Sequence, residues 1–573
     1  MKRAPCRSLG GLAILLVSAC AIGPLQPDPA ARAPELAGFG SVAVPISTRS
    51  AAAQRWFVQG VLQAYAFNEH EAVRMFKAAL AEDPRCAMCA WGVAWQLGPN
   101  INATGRAHVP EALRYLDLAL RNAATTVATS AATAATPRER ALIDALALRY
   151  AHASQAPVTA PLLAERCGRP GDDEQANPLD SAYADRLREL ALATPDDPDL
   201  ISLWAEAEMV ATRDDWWPAG GPPAGRIGEV ADALERALLQ QPEHIGLNHY
   251  LIHATDAAAV AKRAVAAADR LGALAPASPH LVHMPSHTYI HVGRYADAMR
   301  VNQAAVAADL ALAEQQKAQG FEVSKDWRNH DQHFLWFAAL MEGRGDEAVL
   351  AACEVAERAA AADHLFGEYR RSLPVLALLR LQRWDALLAE PKPAGRHGLA
   401  QTLGEHARGV AHARSGRLRE ARAALLLADA GAAKVIQANP SSKGFARTLR
   451  DIVTAATDRL RAEIASAEGR HDVALALQAQ AVMASHRADE SEPPMLAAGD
   501  RLALGDMQLR AGRAAQAEQT FRDDLVAQPG SGWALDGLAR ALKAQGKTAE
   551  LQTVQLRLAQ AWALADANLR GQH

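Results

Sequence analysis

The chain has 573 residues, of which 50% are hydrophobic and only 5% aromatic, and a formal net charge of −4. That near balance excludes the basic footprint of a nucleic-acid-binding protein. The length exceeds one ordinary core, so several domains or a quasi-one-dimensional array are expected. Abundant alanine and leucine favour helix, and no sustained alternation of β-branched residues marks a strand.

The N-terminus opens with Lys2, Arg3 and Arg7, followed by an apolar run from Leu9 to Val17. The run is too short to span a bilayer. It ends in Val17-Ser18-Ala19-Cys20, and the whole order resembles a bacterial lipoprotein signal. The resemblance implies a signal peptide over residues 1–19 and a lipid on Cys20. The alternative is a plain secretory signal that happens to end beside a cysteine. Ala21, standing where Asp would mark retention, resembles outer-membrane sorting. The expected place is therefore the cell envelope, anchored in outer-membrane lipid and facing the periplasm. Residues 20–50, rich in Pro and Ala, read as a tether. No second apolar stretch approaches the roughly 20 residues of a transmembrane helix, so the body is expected to be soluble.

A repeat begins at residue 51. Trp56, Gly60, Ala72, Phe76, Ala79 and Pro84 stand at the spacings of the helix-turn-helix unit of about 34 residues that defines tetratricopeptide repeats. The small residues let two helices approach, the aromatics fill the space beside them, and the proline stops the second helix. Weaker copies start at Gly293-Arg294, Gly343-Arg344, Gly416-Arg417 and Gly469-Arg470. Gly505, Gly512-Arg513, Ala517, Phe521 and Pro529 recover the pattern, and Trp533, Gly537 and Gly546 continue it. The recurring glycine is the turn inside each repeat, in the left-handed conformation. An all-α helix-turn-helix solenoid follows. It divides into a histidine-rich N-terminal array over 51–394 and a plainer C-terminal array over 395–573. Ala123 to Thr136, residues 156–181, and the insertion Asp214 to Pro223 with Trp216 and Trp217 read as loops; residues 391–399 and 487–495 read as linkers. The two tryptophans either cover the groove of the array or anchor the insertion.

Six cysteines do not form a disulfide framework at this length. Cys6 leaves with the signal, Cys167 falls in a loop and Cys353 in a helix. Cys86-Ala87-Met88-Cys89 lacks the second pair of a zinc site and the following His of a c-type haem site. It is either a disulfide in an oxidising compartment or two small residues on a helix face.

Nine of the nineteen histidines fall between His244 and His333. His249, His253 and Asp256 follow i, i+4, i+7, which puts two imidazoles and a carboxylate on one helix face. Such a set supplies three ligands and leaves an open position. His280, His283, His287 and His291 form a second stripe, interrupted by Pro285, where the helix either starts or kinks. His330 and His333 open the next hairpin. His249, His253, His283 and His287 are the expected ligands, with His330 and His333 holding a second metal or supporting the first. Zinc or copper suits imidazole and carboxylate outside cytosolic metal buffering. In a catalytic site the metal would activate a water, with Asp256 as base. Asn248 and Tyr289 are placed to donate hydrogen bonds or to fill space. The alternatives are a metal-free polar core and a face that binds a peptide or protein, as in a protein–protein interaction scaffold.

Four groups of residues carry a wider likeness: Phe67-Asn68-Glu69-His70-Glu71-Ala72 with Asp83 to Met88; Trp91-Gly92 with Gly98 to Asn102; Asn248-His249-Tyr250 with Ile252-His253-Ala254; and His280 to Tyr295. Across about residues 50–350 the chain resembles a set of bacterial tetratricopeptide-repeat proteins. In that set Glu stands at the place of Asp256 and a second His at the place of Glu69. The first change keeps a carboxylate and shortens it. The resemblance implies the repeat fold and carries no reaction.

Overall fold

The structure, a computed structural model, describes residues 33–102, 106, 108–124, 134–150, 177–212, 216–218, 221–323, 327–441, 444–488, 492–496 and 499–570. The signal peptide, Cys20, the first part of the tether, Cys167 and most of the alanine–threonine stretch lie outside them. Every regular element among the described residues is helical. The chain runs through α1 (Ala51–Tyr65), α2 (Glu69–Glu82), α3 (Ala87–Gln96), α4 (Val109–Ala124), α5 (Pro137–Tyr150), α6 (Pro178–Ala193), α7 (Pro198–Ala211), α8 (Ile227–Gln240), α9 (Ile245–Ala254), α10 (Val265–Leu274), α11 (Pro279–His283), α12 (Pro285–Val292) and α13 (Tyr295–Ala318). It continues through α14 (Arg328–Glu342), α15 (Gly345–Arg358), α16 (Leu365–Arg380), α17 (Trp384–Ala389), α18 (Leu399–Arg414), α19 (Leu418–Ala438), α20 (Gly444–Ala467), α21 (His471–Ala488), α22 (Asp500–Arg510), α23 (Ala514–Ala527), α24 (Gly532–Ala544), α25 (Thr548–Ala561) and α26 (Ala567–Arg570). No helix of the described residues is long and apolar enough to cross a membrane.

Contacts divide the chain into two compact units. The N-terminal unit holds residue 33 to Thr288 together with Ala304–Arg328; the C-terminal unit holds Tyr289–Gln303 and the chain from Asn329 onward. In both, helices pack on their neighbours in sequence: α1 on α2 and α6 on α7 in the first, α18 on α19 and α23 on α24 in the second. A single apolar stripe per helix is buried by each such contact, which is why a lone hairpin would not be stable.

The close approach is made by glycine against phenylalanine. A Cβ added at Gly60 would stand 2.6 Å from the Phe76 ring, and one at Gly92 2.5 Å from the same ring. Gly505 and Gly537 face Phe521 in the same way, and closer still. Both phenylalanines stand sixteen residues after one glycine and sixteen before the other. The same three-helix joint is therefore built once in each unit. Around Phe521 it extends into a core with Leu502, Leu535, Leu538 and Leu558.

The intra-repeat turns share one hydrogen-bond pattern. At Gly293, Gly343, Gly416, Gly469, Gly512 and Gly546, φ lies between 70° and 79°. The following N–H reaches back five residues: Arg294 to the Tyr289 carbonyl at 2.9 Å, Arg417 to His412 at 2.9 Å, Arg513 to Gln508 at 2.8 Å. This is the Schellman ending of a helix. Two turns make the same bond without glycine. Phe67 has φ 52° and Gln382 φ 53°, with Asn68 N–H donating to Gln63 at 2.9 Å and Arg383 N–H to Leu378 at 3.0 Å.

Smaller features are settled in place. From residue 33 the stretch read as a tether is packed: Leu36 and Phe39 are buried, and the Gly38 carbonyl accepts from Ala277 N–H at 3.0 Å. Cys86 and Cys89 are joined as a disulfide. Asn177 caps α6, which opens at Pro178, inside the stretch read as loop. Trp216 Nε1 donates to the Thr212 carbonyl at 3.0 Å and Trp217 Nε1 to that of Ala254 at 2.8 Å, so both tryptophans anchor the insertion.

Replacing Gly537 by Ala drives a methyl into the Phe521 ring and should destabilise the C-terminal unit by about 1–3 kcal/mol. Urea unfolding of the variant against the parent measures it.

Candidate metal centre

The segment that carries Asn248, His249 and His253 folds as α9. His244 caps it, its Nδ1 accepting from Leu247 N–H at 3.2 Å, which leaves Nε2 to donate to Asp199 at 3.2 Å. Asn248 Nδ2 donates to the Pro242 and His244 carbonyls at 2.8 and 2.9 Å, pinning the chain where it enters the helix. The second stripe sits on α11 and α12. Ser278 Oγ caps α11 by accepting from Leu281 N–H at 3.3 Å. Pro285 opens α12, and Met284 between them is itself helical, with φ −49° and ψ −37°. The proline interrupts one backbone bond without turning the chain, so His280, His283 and His287 stay on one side.

Five imidazoles of the N-terminal unit are brought together. His249 Nε2 and His280 Nε2 are 3.0 Å apart, and His283 Nε2 and His287 Nε2 are 3.1 Å apart. The ring of His253 lies 4.8 Å from that of His249 and 6.1 Å from that of His280, centre to centre. One nitrogen each from His249, His253 and His280 falls within 4.8 Å of the others.

The outer nitrogens are held by acceptors. His249 Nδ1 faces the Tyr65 carbonyl at 2.8 Å. A carbonyl only accepts, so Nδ1 carries the proton and Nε2 keeps its lone pair. That carbonyl belongs to the last residue of α1, where the left-handed turn at Phe67 ends the helix. His287 Nδ1 likewise donates to Asp256 Oδ2 at 2.8 Å. Ser286 Oγ lies 3.4 Å from His283 Nδ1. Asp256 stands beyond the end of α9, so the carboxylate meets the group through His287 and not as a third ligand on the α9 face.

All five rings are buried, none more than 2% exposed. Burial holds His249 well below its ordinary pKa, with His253 adding to the effect and the Tyr65 carbonyl opposing it. Burial takes His253 down to about 3, with His287 adding and Asp256 opposing. Both rings are neutral, the state in which imidazole binds a metal. His253 Nε2 is buried and meets no hydrogen-bond partner.

Aromatic rings form the walls. Phe67 stands edge-on to His249 at 4.5 Å and stacks on His280 at 5.1 Å. Trp327 stacks on His280 at 4.5 Å. His280, Phe67, Trp327 and the Tyr65 carbonyl were not among the ligands or supports expected from sequence. His280 had a signal, since it stands three residues before His283; the others did not. The remaining candidates lie in the C-terminal unit. His333 Nε2 is 2.8 Å from Tyr369 Oη and is taken to about 3 by burial and by Arg370. His330 tilts against Phe334 at 5.0 Å. Tyr289 lies under the Arg294 guanidinium at 4.3 Å.

Helical-repeat proteins of known structure resemble this chain weakly. Human IFIT1, in its dimer with m7Gppp-AAAA, is 11% identical over 83% of this chain and 90% of its own, with a TM-score of 0.31. The Cut9–Hcn1 hetero-tetramer of the APC/C matches at 14% identity over 86% of this chain and 76% of that one, with a TM-score of 0.29. The TPR domain of P58(IPK) matches at 12% identity over 87% and 99%, with a TM-score of 0.22. No protein-family model and no curated protein matches the chain.

Phe67 and Gln382 hold the same backbone for different reasons, since Gln382 is exposed and the Phe67 ring is buried. Phe67→Gly relieves left-handed strain of about 1–2 kcal/mol and loses a buried ring worth about 3–5 kcal/mol, a net loss of roughly 2–3 kcal/mol. Gln382→Gly should gain up to about 1 kcal/mol, the relief being offset in part by a freer unfolded chain. Opposite shifts in the urea midpoints of the two units are the expected result; shifts of the same sign contradict it.

Proposed function

We propose that this chain is a lipid-anchored helical-repeat protein of the cell envelope whose N-terminal unit binds zinc or copper. His249, His253 and His280 are the ligands of this reading, each through a lone pair in a buried neutral ring. One observation carries it: His253 Nε2 is buried without a partner, beside two nitrogens already turned toward each other. A polar atom left so costs roughly 1–3 kcal/mol, which a metal would recover. Tetrahedral bonds of about 2.0–2.1 Å to imidazole place the nitrogens roughly 3.3 Å apart, so the His249–His280 pair opens slightly from 3.0 Å while His253 turns in. The Tyr65 carbonyl fixes His249 in the tautomer that a metal requires, the support usual behind a ligating histidine. His283 and His287, with Asp256 behind them, offer two further nitrogens to the same or a second ion. A metal-free core is the other reading, favoured by the 3.0 and 3.1 Å spacings, which also suit N–H···N bonds. It leaves His253 Nε2 unused. The repeat surfaces, in either case, are suited to a peptide or protein partner.

Elemental analysis of purified full-length protein supplied with zinc or copper should find about one ion or more per chain at tetrahedral imidazole sites. His253→Phe keeps the ring volume and removes both nitrogens, so metal should be lost while the helical circular-dichroism signal stays. Parent protein that takes up neither ion returns the site to the metal-free reading. The anchor is tested separately: Cys20→Ser should abolish palmitate labelling and move the protein to the soluble fraction, and unchanged labelling would remove Cys20 from the proposal.

A further inference from the structure

The N-terminal unit is bolted by a segment that no repeat accounts for. Residues 33–50 run without helix or strand, along the ends of helices that are far apart in sequence. At one end of this strap, Gln319, just after α13, holds the Glu35 backbone by both its groups. Glu35 N–H donates to Gln319 Oε1 at 2.8 Å, and Gln319 Nε2 donates to the Glu35 carbonyl at 3.0 Å. Leu36 and Phe39 are buried, and the Gly38 carbonyl takes the Ala277 N–H in the turn before α11. Gly40, at φ 91°, lies so close to Ile245, the first residue of α9, that a Cβ would collide with its Cδ1. At the other end Gln54 of α1 grips the backbone in the same two-sided way. Ile46 N–H donates to Gln54 Oε1 and Gln54 Nε2 to the Val44 carbonyl, both at 2.9 Å. Ser47 donates through N–H and Oγ to the Glu139 carboxylate of α5 at 2.7 and 2.6 Å. Thr48 Oγ1 donates to Asp83, after α2, at 2.6 Å.

The two ends of the strap hold the two sides of the histidine pocket. One end is fixed to α1, whose Tyr65 carbonyl faces His249 and whose following turn supplies the Phe67 wall. The other lies on the start of α9 and the turn before α11, and those helices carry His249, His253, His280 and His283. The pocket itself is shut. None of its five rings is more than 2% exposed, so a solute from outside reaches them only after part of the unit moves. The helices bury apolar stripes against one another. The strap is one chain thick, buries few apolar side chains and is held at both ends by polar bonds. Segments of that kind open at the least cost.

We propose that residues 33–48 gate the histidine pocket: release of the strap lets α1 part from α9 and α11, and a metal ion enters and leaves through that opening. The inference rests on the pocket being a binding site, as read above, and adds the regulation of that site. The ion exchanges at the rate at which the strap lets go. A loosened strap makes the pocket leaky without removing a ligand.

Gly40→Ala tests this, because the added methyl meets Ile245 while every helix keeps its own residues. Full-length, metal-free parent and variant are treated with diethyl pyrocarbonate, which acylates accessible neutral imidazole, and the modified peptides are quantified by mass spectrometry. His108, His364 and His471, all exposed, are the internal standards. The left-handed strain alone should speed reaction of His249, His253 and His280 about tenfold, with the helical circular-dichroism signal unchanged. Zinc bound beforehand should pass to a chelator faster from the variant by a similar factor. In the parent, reaction of these rings should begin well below the urea midpoint of the unit and keep pace with hydrogen exchange of residues 33–48. Should Gly40→Ala not fold, Gln319→Ala and the urea dependence of the parent still decide. Unchanged histidine reactivity in a folded variant, or parent rings that react only as the whole unit unfolds, would overturn the gate. Zinc held by both proteins and released equally fast also removes the gate and keeps the metal site. A parent that takes up no zinc while its rings turn reactive in Gly40→Ala keeps the gate and discards zinc as its passenger.

Discussion

Helices lie flush only where nothing larger than hydrogen stands between them, and here that condition is met by paired glycines pressed on one phenylalanine. Gly60 and Gly92 close on Phe76, and Gly505 and Gly537 on Phe521. The first joint sets the spacing of α1, α2 and α3, and the second that of α22, α23 and α24. Protein interiors tolerate little error in volume, so each joint fixes how closely its three helices lie.

The histidine group is the costly part of that arrangement. Five imidazoles share a dry space, and desolvation holds His249 and His253 neutral. Neutral rings lower the penalty of burial compared with charged ones, yet each still needs its nitrogens answered. The Tyr65 carbonyl and the Asp256 carboxylate answer two of them. The first of these depends on the turn at Phe67, because a helix continuing past Tyr65 would have taken that carbonyl for its own ladder. One residue therefore does two jobs: its backbone frees an acceptor for His249, and its ring walls the same site.

The repeat was legible because small and large residues recur at fixed spacing, and the turn glycines because only glycine enters the left-handed region at little strain. The same rule hid Phe67, whose turn carries no glycine to announce it. The pair His249 and His253 was legible as one face of α9. Asp256 was read on the same face, but α9 ends at Ala254 and the carboxylate reaches the group from beyond the helix. His280 was visible in its stripe and undervalued, since its partner His249 is 31 residues away. The acceptor for His249 is 184 residues away, a distance over which helical periodicity says nothing.

The two units are threaded through each other in sequence: the chain leaves the N-terminal unit after Thr288 and comes back to it for Ala304–Arg328. That returning stretch delivers Trp327, which covers His280, and Gln316, which donates to the buried Glu71 at 2.9 Å. A fragment ending where the last cluster histidine ends would lack both. A cut that keeps the histidine-bearing unit whole must fall after Arg328, and it carries Tyr289–Gln303 of the other unit along as a passenger.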